Sequence, residues 1–249
     1  MKLHLLSDLH TEFEAFAIPK TDADVLVLAG DIGTKLSGLE LALKSCEIPV
    51  VYVAGNHEYY GAAIPKLTTE LQDLARGSQV HFLENDSFIF QNVRFLGCTL
   101  WTDFEILGLE NRGLAMWDAE QRMADYRLIR LSPKFNRLRP IDTAGFHFAS
   151  LKWLKQHLEL GFDGRTVVVT HHAPSAKSFN PKYQSDLLSA AFASNLEFLM
   201  DEFKIDLWIY GHTHHNADFV HGSTRILSNQ RGYPNERVLG FNPTLVIEI

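Results

Sequence analysis

The stretch 25–31, with the sequence VLVLAGD, constrains the fold of this chain more than any other part of it. An apolar run with no polar interruption is typical of a strand buried on both faces, as in the central sheet of an α/β protein. Gly30 allows the backbone to turn sharply, so Asp31 follows at the carboxyl end of the strand. Open α/β sheets place their binding residues at that end. We therefore expect an α/β fold with Asp31 at its functional site.

Four further stretches have a similar arrangement, in which an apolar or apolar-rich run is followed by Asp, Asn or His. They are residues 2–7 before Asp8 and His10, 50–54 before Asn56 and His57, 167–170 before His171, and 207–210 before His212 and His214. Five strands would thus present polar side chains at the same end. Because these groups are carboxylate, amide and imidazole with no cysteine, they favour Mn, Fe, Zn or Mg over a thiolate site.

The remaining periodic segments complete an alternating α/β pattern. Apolar residues at helical spacing predict helices at 36–46, 65–75, 143–160 and 186–203. The first of these joins two predicted strands, which favours a β-α-β unit with parallel pairing. Short strands are predicted at 80–83, 87–90 and 93–96, the last two as a hairpin entering a second sheet. Antiparallel strands are predicted at 217–221, 224–227 and 245–249.

Residues 101–140 differ in composition from the rest of the chain. Long aliphatic runs are absent there, and aromatic residues are scattered among charges. Between positions 112 and 139 there are seven Arg or Lys residues against three Asp or Glu, which reverses the acidic balance of the whole chain. We predict one domain, residues 1–249, with a partly helical insertion at about 101–140. Its plainest interpretation is a solvated helical face with salt bridges, and the alternative is a cap that selects the substrate.

Composition excludes several classes of protein. The net charge of −7 and the pI near 5.9 disfavour nucleic acid as a partner, since nucleic-acid binders usually carry a basic surface. Cys46 and Cys98 are too few for a disulfide framework, which favours a reducing compartment. No stretch approaches the roughly 20 apolar residues that cross a bilayer. The sequence therefore predicts a cytoplasmic protein with no membrane partner and leaves its oligomeric state open.

Taken in order, the polar clusters form a pattern of five motifs. They are Asp8-x-His10, Gly30-Asp31, Gly55-Asn56-His57-Glu58, His171-His172 and Gly211-His212-Thr213-His214. This pattern resembles the calcineurin-like metallophosphoesterase family, whose motifs are D-x-H, G-D, G-N-H-[DE], H and G-H-x-H in the same order. The resemblance covers residues 2–61 and 167–215. It implies a four-layer α-β-β-α sandwich with two central mixed β-sheets and a metal site at the carboxyl ends of the strands.

The resemblance also implies two divalent metal ions, of Mn, Fe or Zn. One would be bound by Asp8, His10, Asp31 and His214, and the other by Asp31, Asn56, His171 and His212. Asp31 would bridge them, because a shared carboxylate reduces the mutual repulsion of two cations about 3.5–4 Å apart. A hydroxide activated between the ions would attack phosphorus in line. His57 would stabilise the transition state or protonate the leaving oxygen rather than bind metal.

One departure from the pattern bears on the substrate. Protein Ser/Thr phosphatases of this superfamily carry G-D-x-x-D-R-G, whereas Thr34 and Lys35 stand here in place of the second Asp and the Arg. The missing arginine disfavours a phosphoprotein substrate. The missing acid leaves the partner of His57 open.

The leading hypothesis is a metal-dependent phosphohydrolase that cleaves a monoester or diester in a small or exposed substrate. The alternative from another class is a binding module that keeps the fold without turnover. A metal-dependent hydrolase of carbon esters or amides fits poorly, because the H-x-H motif comes late in the chain. Four neighbouring residues have ordinary structural explanations, as outward-facing, hydrogen-bonded or turn residues: Glu58, His172, His215 and Arg231.

Overall fold

Two mixed β-sheets lie face to face at the centre of the molecule. The structure is a computed structural model and describes all residues, 1–249. The strands are β1 (Lys2–Leu6), β2 (Val25–Ala29), β3 (Val50–Val53), β4 (Ala63–Ile64), β5 (Val80–Phe82), β6 (Asp86–Phe90), β7 (Val93–Cys98), β8 (Arg130–Leu131), β9 (Asn136–Arg137), β10 (Arg165–Thr170), β11 (Leu207–Tyr210), β12 (Asp218–His221), β13 (Thr224–Ser228) and β14 (Val246–Glu248). The helices are α1 (Ser37–Ser45), α2 (Lys66–Ala75), α3 (Arg112–Arg122), α4 (Asp125–Leu128), α5 (Pro140–Glu159) and α6 (Glu197–Glu202).

The first sheet has the strand order β14-β1-β2-β3-β5. Strands β1, β2, β3 and β5 are parallel, whereas β14 pairs with β1 in the antiparallel sense. The second sheet has the order β12-β13-β11-β10-β7-β6, with β7, β10, β11 and β13 parallel and an antiparallel strand at each edge. Each sheet therefore brings the carboxyl ends of its parallel strands to one edge.

Alternate residues of the central strands pack on opposite sides of the sheet. Val25 and Val27 lie in the core between the two sheets, whereas Leu26 and Leu28 pack with residues of α1 and α2. On the far side of the second sheet, Trp208 packs with residues of α5 and α6. Since a strand's side chains alternate between its faces, this double burial explains the continuous apolar run of β2. The four-layer α-β-β-α sandwich is confirmed.

The hairpin between β6 and β7 forms as the sequence predicts, with Phe90 opposite Val93. Its turn residues Gln91 and Asn92 have φ values of 46° and 65°, the left-handed conformation of a tight hairpin turn. At the carboxyl end, β14 is antiparallel to β1. Strand β13 is antiparallel to β12 but parallel to its inner neighbour β11, so the predicted antiparallel pairing holds there on one side only.

The predicted helix at 186–203 is wrong. A 3₁₀ turn (Leu187–Ala191) and the short helix α6 replace it, because residues between them pair with another part of the chain. The backbone N–H of Ser194 donates to Ala173 O, and that of Leu196 donates to Pro174 O. These tertiary hydrogen bonds satisfy groups that would otherwise bond within a helix.

The segment 101–140 is partly helical, with α3 and α4, and it adds β8 and β9 to a small sheet with β4. Trp101 and Phe104 are buried against the core on the helix side of the first sheet. Trp117 and Phe135, in contrast, are more than half exposed. Across the whole chain, no helix combines the length and the apolar character needed to cross a membrane.

Candidate metal centre

In three of the five motifs, the polar residues that follow the strands have an unusual backbone conformation. Asp8, His10, Asp31, His212 and His214 all have positive φ, between 47° and 70°. Such values are uncommon for residues with a side chain and cluster at functional sites. The first two loops support each other, since the backbone N–H of Asp8 donates to Gly30 O and that of His10 donates to Asp31 O, each at 3.0 Å.

Three side chains meet in a first cluster, which consists of Asp8, His10 and His214. Nε2 of His10 lies 3.1 Å from Nε2 of His214, and the latter lies 3.4 Å from Oδ1 of Asp8. The ligand atoms of all three lie within 4.8 Å of one another. Residues more than 200 positions apart are thus brought to one point by β1 and β11, which belong to different sheets.

A second cluster contains Asp31, Asn56, His171 and His212. Nε2 of His171 lies 3.1 Å from Oδ1 of Asn56, 3.2 Å from Nδ1 of His212 and 3.4 Å from Oδ2 of Asp31. The same Oδ2 is 4.0 Å from Nε2 of His10 in the first cluster. One carboxylate oxygen of Asp31 therefore faces both clusters.

The outer nitrogens of three histidines face oxygen acceptors. Nδ1 of His171 lies 2.9 Å from Ala29 O, Nδ1 of His10 lies 3.3 Å from Oε1 of Glu12, and Nδ1 of His214 contacts Oε2 of Glu236. Since carbonyl and carboxylate oxygens only accept, these nitrogens carry the hydrogen. The Nε2 lone pairs are thereby directed into the clusters, as in metal sites with second-layer hydrogen bonds.

These distances suit a divalent cation. Two nitrogens bound to one ion at about 2.1 Å lie about 3.0–3.4 Å apart, which matches the nitrogen pairs at 3.1 Å and 3.2 Å. Oδ2 of Asp8 and Nε2 of His212 are buried without a hydrogen-bond partner. Buried polar atoms in proteins are normally satisfied, so Asp8 Oδ2 is well suited to an ion.

The electrostatics point the same way. Burial raises the pKa of Asp31, but His171 and His57 outweigh it and hold that pKa well below its usual value. Burial lowers the pKa of His171, but Asp31 and Asp8 outweigh it and raise that pKa to about 9. The buried carboxylates of Asp8 and Asp31 are therefore stabilised by nearby positive charge, which bound protons or metal cations can supply. Metal binding here would release protons.

His57 lies beside these clusters. Its backbone N–H donates to Oδ1 of Asp31 at 2.8 Å, Nδ1 lies 2.7 Å from Oε1 of Glu12, and Nε2 lies 3.0 Å from the hydroxyl of Tyr233. Burial lowers the pKa of His57, but Asp31 and Glu12 outweigh it and raise the pKa above its usual value. Glu12 is thus the acidic partner that the sequence left open. A third group of ligand atoms, from His10, Glu12 and His57, also lies within 4.8 Å.

Glu58 organises the two loops around Asp31. Its buried carboxylate accepts backbone N–H hydrogen bonds from Asp31 at 3.0 Å, Ile32 at 2.9 Å and Gly55 at 2.7 Å, and one from the Tyr52 hydroxyl at 2.8 Å. This agrees with the expectation of a hydrogen-bonded core residue. Gly55 is required here, because a Cβ would lie 2.1 Å from Oδ1 of Asp31.

The other singled-out residues lie outside the clusters. His172 is buried with Nδ1 3.1 Å from Thr99 O. The Arg231 guanidinium donates to Leu9 O at 3.0 Å and pairs with Glu14. Arg231 therefore holds the loop that carries Glu12, which agrees with its expected structural role.

Sequence reasoning missed Glu12, Asp125, Tyr233 and Glu236. Asp125, from the insertion, accepts from Nδ2 of Asn56 at 2.9 Å. Glu12 could have been predicted from the sequence as a site residue, since it stands two positions after His10. The other three lie where the five motifs give no information.

Comparison with known proteins agrees with this fold. Residues 1–216 match the sequence model of the calcineurin-like phosphoesterases. Since the match spans most of the chain, the protein belongs to this metal-dependent family. A relative, the uncharacterized protein L509 of Acanthamoeba polyphaga mimivirus, is 25% identical over 99% of this chain and 96% of its own length.

Two solved structures share the fold. Phosphopantetheinyl hydrolase from Mycobacterium tuberculosis superposes with a TM-score of 0.74 at 18% identity, over 94% of this chain and 90% of that one. A dimetal phosphatase from Danio rerio superposes with a TM-score of 0.56 at 16% identity, over 92% and 86% of the two chains. At these identities the likeness establishes the fold alone.

Proposed function

We propose that this phosphoesterase is a hydrolase that cleaves a phosphate monoester or diester at two divalent metal ions, of Mn, Fe or Zn. The ions would be held by the seven residues predicted from the motifs, with Asp31 shared between them. His57 would protonate the leaving oxygen or stabilise the transition state. The substrate would be a small molecule or an exposed phosphate ester, and nucleic acid is not proposed as a partner.

The observation that carries this proposal is the position of Oδ2 of Asp31. It lies 3.4 Å from Nε2 of His171 and 4.0 Å from Nε2 of His10, between two clusters that each suit one cation. A single ion could bind the ligand atoms of only one of these two groups. Two ions with a shared carboxylate use all of them.

Bound divalent ions would supply an activated water and positive charge for the phosphoryl oxygens. The remaining tasks fall to protein side chains. Nδ1 of His57 contacts Glu12 and Nε2 contacts the hydroxyl of Tyr233, so the two partners together orient the imidazole ring. Proton donation by a histidine placed in this way typically accelerates a reaction by about 10²–10⁴-fold.

The test is an assay of purified protein with p-nitrophenyl phosphate and bis(p-nitrophenyl) phosphate. We expect hydrolysis in Mn²⁺, loss of hydrolysis after chelation, and recovery when Mn²⁺, Fe²⁺ or Zn²⁺ is returned. Elemental analysis should give two metals per chain. A phosphopantetheinyl ester belongs in the wider panel, because a protein of the same fold is named for that activity. Hydrolysis of no ester with any metal would favour the binding module instead.

The cytoplasm is the location we propose. Cys46 and Cys98 are both free thiols, as expected in a reducing compartment. Cell fractionation with an antibody against the protein tests this, and recovery in an oxidising compartment would contradict it.

A further inference from the structure

A cleft of about 460 Å³ opens beside the two clusters. Asp31, His57, His212 and His214 contribute to its lining. Its size is within the range of small-molecule sites, about 300–1,000 Å³. Since the phosphate of a substrate would occupy the metal end, the rest of the cleft is left to contact the organic group.

Much of the remaining lining is apolar. Met123 follows helix α3 of the insertion, and Phe179, Tyr183, Leu188 and Phe192 come from the segment between β10 and α6. Met123, Leu188 and Phe192 are only partly buried and pack against the core on their inner side. An apolar group bound here would cover side chains that are now partly exposed to water.

Positive charge is scarce in this cleft. Arg122 is its one lining Arg or Lys, and it donates to Asp118 at 2.8 Å and to both carboxylate oxygens of Asp186 at 2.9 Å and 3.1 Å. The cleft also contains Glu236. A substrate with a second phosphate or a carboxylate would find no free cation, and it would approach carboxylates that repel it.

We propose that the substrate is an ester of a single phosphate with an uncharged, apolar organic group, such as an aryl or branched alkyl group. The insertion and the segment 179–192 then form the surface that selects this group, and the Arg122–Asp186 pair holds the two together while it cancels the charge of the arginine. This inference rests on the proposed function, because it assumes that phosphate binds at the clusters.

The test compares three phosphonates that share one head group and cannot be hydrolysed. They are methylphosphonate, benzylphosphonate and 4-carboxybenzylphosphonate, and their Kd values are measured by calorimetry on the Mn²⁺-loaded protein. We expect benzylphosphonate to bind at least tenfold more tightly than methylphosphonate, a factor worth about 1.4 kcal/mol at 25 °C. The carboxylated compound should lose most of that gain.

Substitutions in and outside the cleft test which side chains produce the preference for benzylphosphonate. Leu188→Ser and Met123→Ser should each reduce the preference for benzylphosphonate at least threefold, whereas Leu160→Ser, on an exposed leucine outside the cleft, should leave it unchanged. Asp186→Asn should release part of the charge of Arg122. It should therefore improve binding of 4-carboxybenzylphosphonate without improving that of benzylphosphonate.

The outcomes separate this inference from the proposed function. Equal Kd values for the three phosphonates, or tightest binding of the carboxylated one, would overturn the inference even if esters are hydrolysed. Preference for benzylphosphonate in a protein that hydrolyses nothing would support the inference while the proposed turnover fails. Binding of none of the three would overturn the inference alone if esters are hydrolysed, and it would overturn both if no ester is hydrolysed.

Discussion

Oε1 of Glu12 lies 2.7 Å from Nδ1 of His57 and 3.3 Å from Nδ1 of His10, so one oxygen accepts hydrogen bonds from both rings. Burial raises the pKa of Glu12, but hydrogen bonds with His10 and His57 outweigh it and lower the pKa to about 2. Glu12 therefore stays charged at neutral pH. Through one contact it orients a predicted metal ligand, and through the other the predicted acid.

Replacing Glu12 should slow turnover without emptying the metal sites. Glu12→Ala removes both hydrogen bonds, and we expect kcat to fall by about 10–100-fold, the usual effect of losing such a supporting partner. KM should change little, because Glu12 is absent from the cleft lining. Glu12→Gln keeps an acceptor oxygen and should recover part of kcat. Steady-state kinetics check this, with the exposed Glu40→Gln as the control.

His57→Ala should leave both metals bound but reduce kcat. The loss should depend on the leaving group, because an alkoxide needs a proton to leave and p-nitrophenolate does not. We expect a loss of about 10²-fold or more for an alkyl ester and a smaller one for p-nitrophenyl phosphate. Undiminished kcat on both substrates would remove His57 from the mechanism.

Asp31→Asn should lower metal occupancy in both clusters. The substitution preserves the shape of the side chain but removes the charge of the oxygen that lies between His171 and His10. Elemental analysis after dialysis should give fewer than one metal per chain. The same substitution at exposed Asp163 should retain the wild-type content. Two metals per chain in Asp31→Asn would contradict the shared position of this carboxylate.

Glu58→Ala should destabilise the fold. It leaves the buried backbone N–H groups of Asp31, Ile32 and Gly55 without their acceptor. Each unpaired buried donor costs about 1–3 kcal/mol, so we expect the free energy of unfolding to fall by at least about 3 kcal/mol. Urea denaturation of metal-free protein measures this. Exposed Glu70→Ala should change it by less than about 0.5 kcal/mol, and an equal loss there would remove the special role of Glu58.

The local pattern of residues was enough to predict an α/β fold and the ligand types, whereas the four-layer arrangement was implied by the resemblance to a known family. Strand β2 is apolar along its length because both of its faces are covered, and helices α1 and α2 bury Leu39, Ala42, Leu67 and Leu71 at helical spacing on the side that packs on the first sheet. Asp31 and the histidines follow strand ends, so sequence order alone placed them at one edge. These features depend on neighbours within a few positions.

The contacts between distant segments were decided by tertiary structure. Glu12 meets His57 across 45 positions, and Tyr233 meets it across 176, distances at which periodicity carries no information. The predicted helix at 186–203 failed for the same reason, because Ser194 and Leu196 donate their backbone hydrogen bonds to residues 173 and 174. The hydrogen-bond partner of a polar group is determined by which groups lie near it in the folded chain, whatever their distance in sequence. The pairing of Glu12 with His57, and the apolar cleft beside them, therefore exist only once the sheets have brought their loops together.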